Sequence, residues 1–129
     1  MHLRKSSEYL YRIITTIASS KDGTMNIGAL AAGTCIPPAI LRRLCLALVD
    51  HNFLETVKID NIAGYHALPA LFSMSLYDII MLTDGNTDLF ALYDKKSPAY
   101  SNCRAAFEDV QAQMIRILRE TKIVNDPHL

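Results

Sequence analysis

The sequence lacks a surplus of either charge: Lys and Arg number 13 and Asp and Glu number 13 in a chain of 129 residues. A strongly basic or strongly acidic character is therefore excluded as a property of the whole chain. Any affinity for a polyanion must come from a few placed residues. The sequence also lacks an apolar run approaching the roughly 18 residues that a membrane span requires. Met1-His2-Leu3-Arg4-Lys5 leads into serines rather than into an apolar signal core, so the expected location is cytoplasmic, with no membrane partner. Paired cysteines are lacking as well. Cys35, Cys45 and Cys103 are odd in number and stand far apart, which argues against a disulfide framework and against a zinc knuckle and leads us to expect reduced thiols. No catalytic constellation is visible: His2, His51, His66 and His128 show no ligand spacing, and neither a Gly-rich phosphate loop nor a nucleophile elbow occurs. The expectation is a protein that is not an enzyme and holds no metal or cofactor.

What is present is a composition that is 50% apolar, enough for one hydrophobic core and too short for two, hence one domain with an appendage. The front is mildly positive. Residues 1–68 carry seven basic and five acidic side chains, and residues 69–129 carry six and eight.

Leu10, Ile13, Ile14, Ile17 and Ala18 follow the spacing of an amphipathic helix, with Ser6 or Ser7 at the N-cap, predicting a first helix over about Ser7 to Ser20. Lys21-Asp22-Gly23-Thr24 is turn chemistry. Asn26 then caps a short helix with Ile27, Leu30 and Ala31 inward, closed by Gly33. Pro37 and Pro38 fit only the first turn of a helix, so a third helix starts there, with Leu41, Leu44, Cys45 and Leu48 inward and an end near Asn52. Leu54 to Lys58 and Gly64 to Leu68 read as the strands of a hairpin joined by a loop over Ile59 to Ala63. Ser75 and Asp78 form a capping box before Leu76, Ile79, Ile80 and Leu82, and Gly85 ends that fourth helix. Residues 86–102 read as a loop.

From Cys103 no helix breaker occurs until Pro127, and Phe107, Val110, Met114, Ile117, Thr121 and Val124 recur in steps of three and four. A terminal helix with such a stripe buries it against a symmetric partner or folds it back on its own domain. The predicted fold is mainly α with a small β-hairpin: a winged helix-turn-helix over 1–85, a connecting, sensor-region loop over 86–102, and a dimerisation helix and tail over 103–129.

This order of elements resembles the Rrf-two family of bacterial transcription regulators across nearly the whole chain. The matching pieces are Met1-His2-Leu3 through Ser7-Glu8-Tyr9, Ile36-Pro37-Pro38-Ala39-Ile40-Leu41 through Leu48, Gly64-Tyr65, and Ser75-Leu76-Tyr77-Asp78-Ile79-Ile80 through Asp84-Gly85. The resemblance implies a homodimer that binds double-stranded DNA as a repressor. Three departures are plain. The family's wing usually carries an arginine and several glycines where this chain has Lys58-Ile59-Asp60-Asn61-Ile62-Ala63, and Pro38 and Ile40 stand where serine and tyrosine are frequent. Many members also hold an iron-sulfur cluster on three closely spaced cysteines before the final helix, where this chain has Cys103 alone. The implied input is thus a small-molecule effector or thiol chemistry rather than a cluster.

On this basis Arg42 and Arg43, on the face opposite Leu41, Leu44 and Leu48, are the candidate major-groove contacts, with Pro38 and Ala39 at the start of the same helix. Their alternative is an ordinary solvated helix face. Arg4, Lys5 and Ser7 are candidate phosphate contacts at the first helix N-terminus. Lys58 and His66, taken as neighbours on the hairpin, are weaker ones, and Tyr65 either bonds a phosphate or packs across the sheet. His51 is read as a cation at a helix C-terminus. Cys35 and Cys45 read as small core residues. Cys103 opens a helix, where the dipole favours thiolate, and is the candidate sensor. A dimeric protein-interaction module without DNA binding, and a cluster-based redox sensor, are the other readings.

Overall fold

Four apolar side chains of the first helix, Leu10, Ile13, Ile14 and Ile17, are sealed from solvent at the centre of the protein, each contributing about 1.5–3 kcal/mol by burial. The computed structural model describes residues 4–85 and 100–124, the latter with side chains from residue 104. The opening residues 1–3, most of the stretch read as a connecting loop (86–99) and the tail 125–129 lie outside the described residues.

The elements run α1 (Lys5–Ala18), β1 (Thr24–Asn26), α2 (Ile27–Thr34), α3 (Pro38–Asp50), β2 (Leu54–Ile59), β3 (Ile62–Ala67), α4 (Leu76–Asp84) and α5 (Tyr100–Glu120). This is the mainly helical winged architecture that the sequence predicts, with one strand more. Helices α2, α3 and α4 all pack around α1.

The first helix starts two residues earlier than expected, with Arg4 at its N-cap and no side-chain cap bond. Ser7 is not the cap. It is turned inward in the first turn, and its hydroxyl shares a 3.1 Å hydrogen bond with Thr83 on α4. Asn26 does cap α2, its carbonyl accepting from Ala29 N–H at 2.7 Å. Gly33 does not close that helix. Cys35 takes the left-handed position instead, at φ 57°, and is exposed, which corrects its reading as a core residue.

Helix α3 begins as two prolines require and buries Leu41, Leu44, Cys45 and Leu48 as predicted. It ends in a Schellman motif: Asn52 at φ 63° donates its N–H to Val49, and Phe53 donates to Leu48 at 2.9 Å. His51 holds the preceding turn through Nδ1 at 2.9 Å from the Ala47 carbonyl.

The hairpin is longer and tighter than predicted. Asp60 and Asn61, both at positive φ, make a two-residue turn of the kind whose twist matches the strands, so Ile59, Ile62 and Ala63 are strand residues rather than loop. The unpredicted β1 pairs antiparallel with β3, giving the order β1-β3-β2. Gly64 is what admits it, because a Cβ there would stand 2.7 Å from the Met25 carbonyl oxygen and 3.0 Å from Asn26 Cα.

The Ser75–Asp78 capping box is complete, and Gly85 at φ 78° ends α4. Helix α5 starts at Tyr100 rather than Cys103 and stops at Glu120. Beyond it, Ile123 and Val124 enter the core, Ile123 N–H bonds Met74 O at 3.1 Å and Lys122 Nζ reaches Ser73 O, while in its last turn Arg119 lies over the Tyr77 ring at 4.3 Å. Val124 is therefore part of the chain's own core and not of an intermolecular seam. Among the described residues no single helix is long and apolar enough to cross a membrane.

Candidate nucleic-acid interface

A three-residue turn, Cys35 to Pro37, joins α2 to α3, and the two helix axes bend by 110°, within the 90–120° of a helix-turn-helix. Arg12 braces this corner from α1, donating to the orphan Thr34 carbonyl at 3.2 Å and to Glu8 at 2.6 Å. The sequence reading did not single Arg12 out, since nothing local tells a strut from a surface arginine. With its inner face in the core, α3 presents Pro38, Ala39, Arg42 and Arg43 to solvent, all four exposed.

The wing continues this surface. Side chains alternate along a strand, and Leu54 and Ala67, paired across β2 and β3, are buried. Their face, followed toward the turn, carries Thr56 opposite Tyr65 and then Lys58 opposite Ala63. Thr56 and Lys58 are exposed, and Tyr65 is half-buried against the core. Burial pushes the Tyr65 hydroxyl pKa up, the nearby Cys45 adds to the rise, and the Arg42 charge opposes it. Tyr65 thus packs, as one of its two readings held, and links α3 to the wing. Cys45 beneath it has its thiol pushed up to about 12 by burial. Thr56 was missed, although the alternation of Leu54, Thr56 and Lys58 would have found it once the register was known.

His66 stands on the other face of the hairpin. It shares a 2.7 Å hydrogen bond with Thr24 and lies opposite Glu55, so it is not a companion of Lys58 but part of the β1 attachment. Arg4 and Lys5 are exposed at the N-terminus of α1, beside α4 rather than α3. Arg4 pairs with Asp84 at 2.9 Å, Lys5 lies 5.6 Å from the Tyr9 ring centroid, and both line a shallow depression with Ser7, Glu8, Leu76 and Ile79. The buried Ser7 hydroxyl, held by Thr83, offers a phosphate nothing.

On α5, Phe107, Val110 and Ile117 are exposed and Met114 is half-buried. Thr121 lies just past the helix end, its hydroxyl donating to Ile117 O at 2.7 Å. Cys103 falls in the first turn of α5, and its side chain lies outside the described residues. The cysteines do not fit a cluster: Cys45 is sealed in the core and Cys35 caps α2, which leaves Cys103 without the companion thiolates a cluster takes. Among the described residues no group of three or more His, Cys, Asp or Glu side chains is placed to hold a metal ion.

The fold has close counterparts among solved structures. CymR, the global cysteine regulator of B. subtilis, aligns with a TM-score of 0.73 over 95% of this chain and 93% of its own, at 16% identity. The oxidized form of CymR from Staphylococcus aureus aligns at 0.66, with 19% identity over 96% and 94%. IscR of T. potens aligns at 0.69, with 16% identity over 97% and 85%. No family model matches the chain, and no curated protein matches its sequence. At these identities the likeness establishes the winged helix fold.

Proposed function

We propose that this chain is a homodimeric, DNA-binding transcription regulator, a divergent relative of the Rrf-two regulators, acting as a repressor. The observation that carries the reading is the helix-turn-helix corner itself. Its second helix turns Pro38, Ala39, Arg42 and Arg43 outward beside a wing face bearing Tyr65 and Lys58. Such a helix fits the major groove with its N-terminal residues at base edges, while the wing reaches the flanking backbone. Lys5 and the outer nitrogens of Arg4 add phosphate contacts at the α1 N-terminus. Ser7 and His66 have no part in it.

The exposed apolar stripe of α5 supports the dimer. Val110 and Ile117 are exposed on a helix whose C-terminal end is fixed to the core, and a second α5 across a dyad would cover them together with Phe107 and Met114. Thr121 borders that seam. Two α3 helices would then enter successive major grooves about 34–36 Å apart. The input is a small molecule or thiol chemistry, with Cys103 as the sensor and no bound cluster. CymR, a cysteine regulator by name and known in an oxidized form, supports an input of that kind.

Selection from random duplexes at low salt tests the reading. It predicts enrichment of a palindromic site, with Arg42→Ala costing on the order of 1–3 kcal/mol at that site and relaxing sequence preference. Failure to enrich any sequence would transfer the chain to the alternative, a dimeric protein-interaction module.

A further inference from the structure

Helix α3 carries one large apolar side chain on its outer face. Leu46 is 57% exposed, whereas Leu41, Leu44 and Leu48 of the same helix are all buried. At 3.6 residues per turn, Ala39, Arg43 and Leu46, spaced by four and three, lie on one stripe centred away from the core. All three are exposed. Arg42 sits to the side of this stripe by the helical spacing. From Ala39 to Leu46 the helix rises about 10 Å, about three base-pair steps.

On the reading of α3 as the recognition helix, we infer that Ala39 and Leu46 select thymine on either side of a base pair read by Arg43. Thymine is the base that presents a methyl group to the major groove, and an apolar side chain recognises it by contact. Neither Ala39 nor Leu46 has a hydrogen-bonding group. Against cytosine either would cover the N4 amino group without offering it an acceptor, and that unmade bond penalises the wrong base. A guanidinium between them takes guanine through O6 and N7. The half-site therefore includes a guanine with thymines within about three base pairs of it, read along this stripe by one charge and two apolar contacts, beside the base contact of Arg42. That is the kind of recognition open to a chain without a basic surplus.

The test uses the full-length protein and the duplex obtained by random selection. Each thymine of the half-site is replaced singly by deoxyuridine, which removes only the methyl. We expect two replacements each to weaken the wild type about fourfold, the factor for one buried methyl-sized group, and one of the two to leave Leu46→Ala unaffected. Leu46→Ala is expected to keep its fold because the side chain contributes nothing to the core, and its circular dichroism checks this. A selected site at which no deoxyuridine weakens binding, or at which Leu46→Ala stays as sensitive as the wild type at every thymine, overturns the inference while leaving DNA binding intact. Failure to enrich any site overturns the DNA reading and the inference with it.

Discussion

Cys45 and Cys35 are ten residues apart in sequence and opposite in environment. Cys45 lies in the core with its thiol pushed up to about 12 from an ordinary 9.0, and Cys35 is exposed at the end of α2. Native protein treated with iodoacetamide at neutral pH should be alkylated at Cys35 and spared at Cys45 until it is unfolded, as peptide mass spectrometry would report; equal labelling would contradict the burial. The shift also fixes a pH dependence. The unfolded chain loses the Cys45 proton as pH rises through about 9 while the folded chain keeps it to about 12, so this thiol lowers stability progressively between those values and not below them. Urea midpoints of wild type and Cys45→Ala, compared at pH 8 and pH 10, should converge as pH rises. At this scale the sequence was legible where a periodic pattern surrounded the residue, as for Cys45, Leu41 and Leu44. It misled where one backbone angle decided the matter: a left-handed φ of 57° throws Cys35 outward, and the early start of α1 turns Ser7 toward Thr83.

Helix α4 shows how strong local chemistry makes an element readable. Ser75 and Asp78 cap each other's backbone groups and Gly85 ends the helix, and these three residues alone predict its limits. Ser75→Ala should cost about 1 kcal/mol, seen as a lower urea midpoint at an unchanged slope. Strand β1 had no such signature, because three residues alternate too briefly to register, and its existence depends on a glycine 38 residues later. Gly64→Ala tests that dependence. With the Met25 carbonyl oxygen 2.7 Å from the added Cβ and both neighbours held in a sheet, the substitution should destabilise by about 1–3 kcal/mol; a neutral outcome would mean that β1 is dispensable. The wing was legible as a hairpin but not in its register, so the grouping of Lys58 with His66 failed although both residues are correctly placed on it.

At the scale of the whole molecule, the neutral charge and the winged fold pull in different directions, and the resolution lies in placement. Arg42 and Arg43 are exposed on α3 and Lys58 on the wing strand β2 that packs against it, so a protein with no net charge can still present a local cationic face. If the chain binds DNA as proposed, few phosphate contacts follow, and with them a salt dependence shallower than that of large basic repressors. The proposed dimer rests on the steps of three and four along α5, and the end of that stripe continues into the chain's own core at Val124; spacing alone does not say which partner a stripe meets. The most direct measurement is sedimentation of the protein at micromolar concentration, alone and with the selected duplex. The account predicts two chains in the free protein and two chains on each duplex. Val110→Asp with Ile117→Asp should give a folded monomer that no longer holds the palindrome. A wild-type protein that sediments as a monomer and leaves the duplex unbound would contradict it.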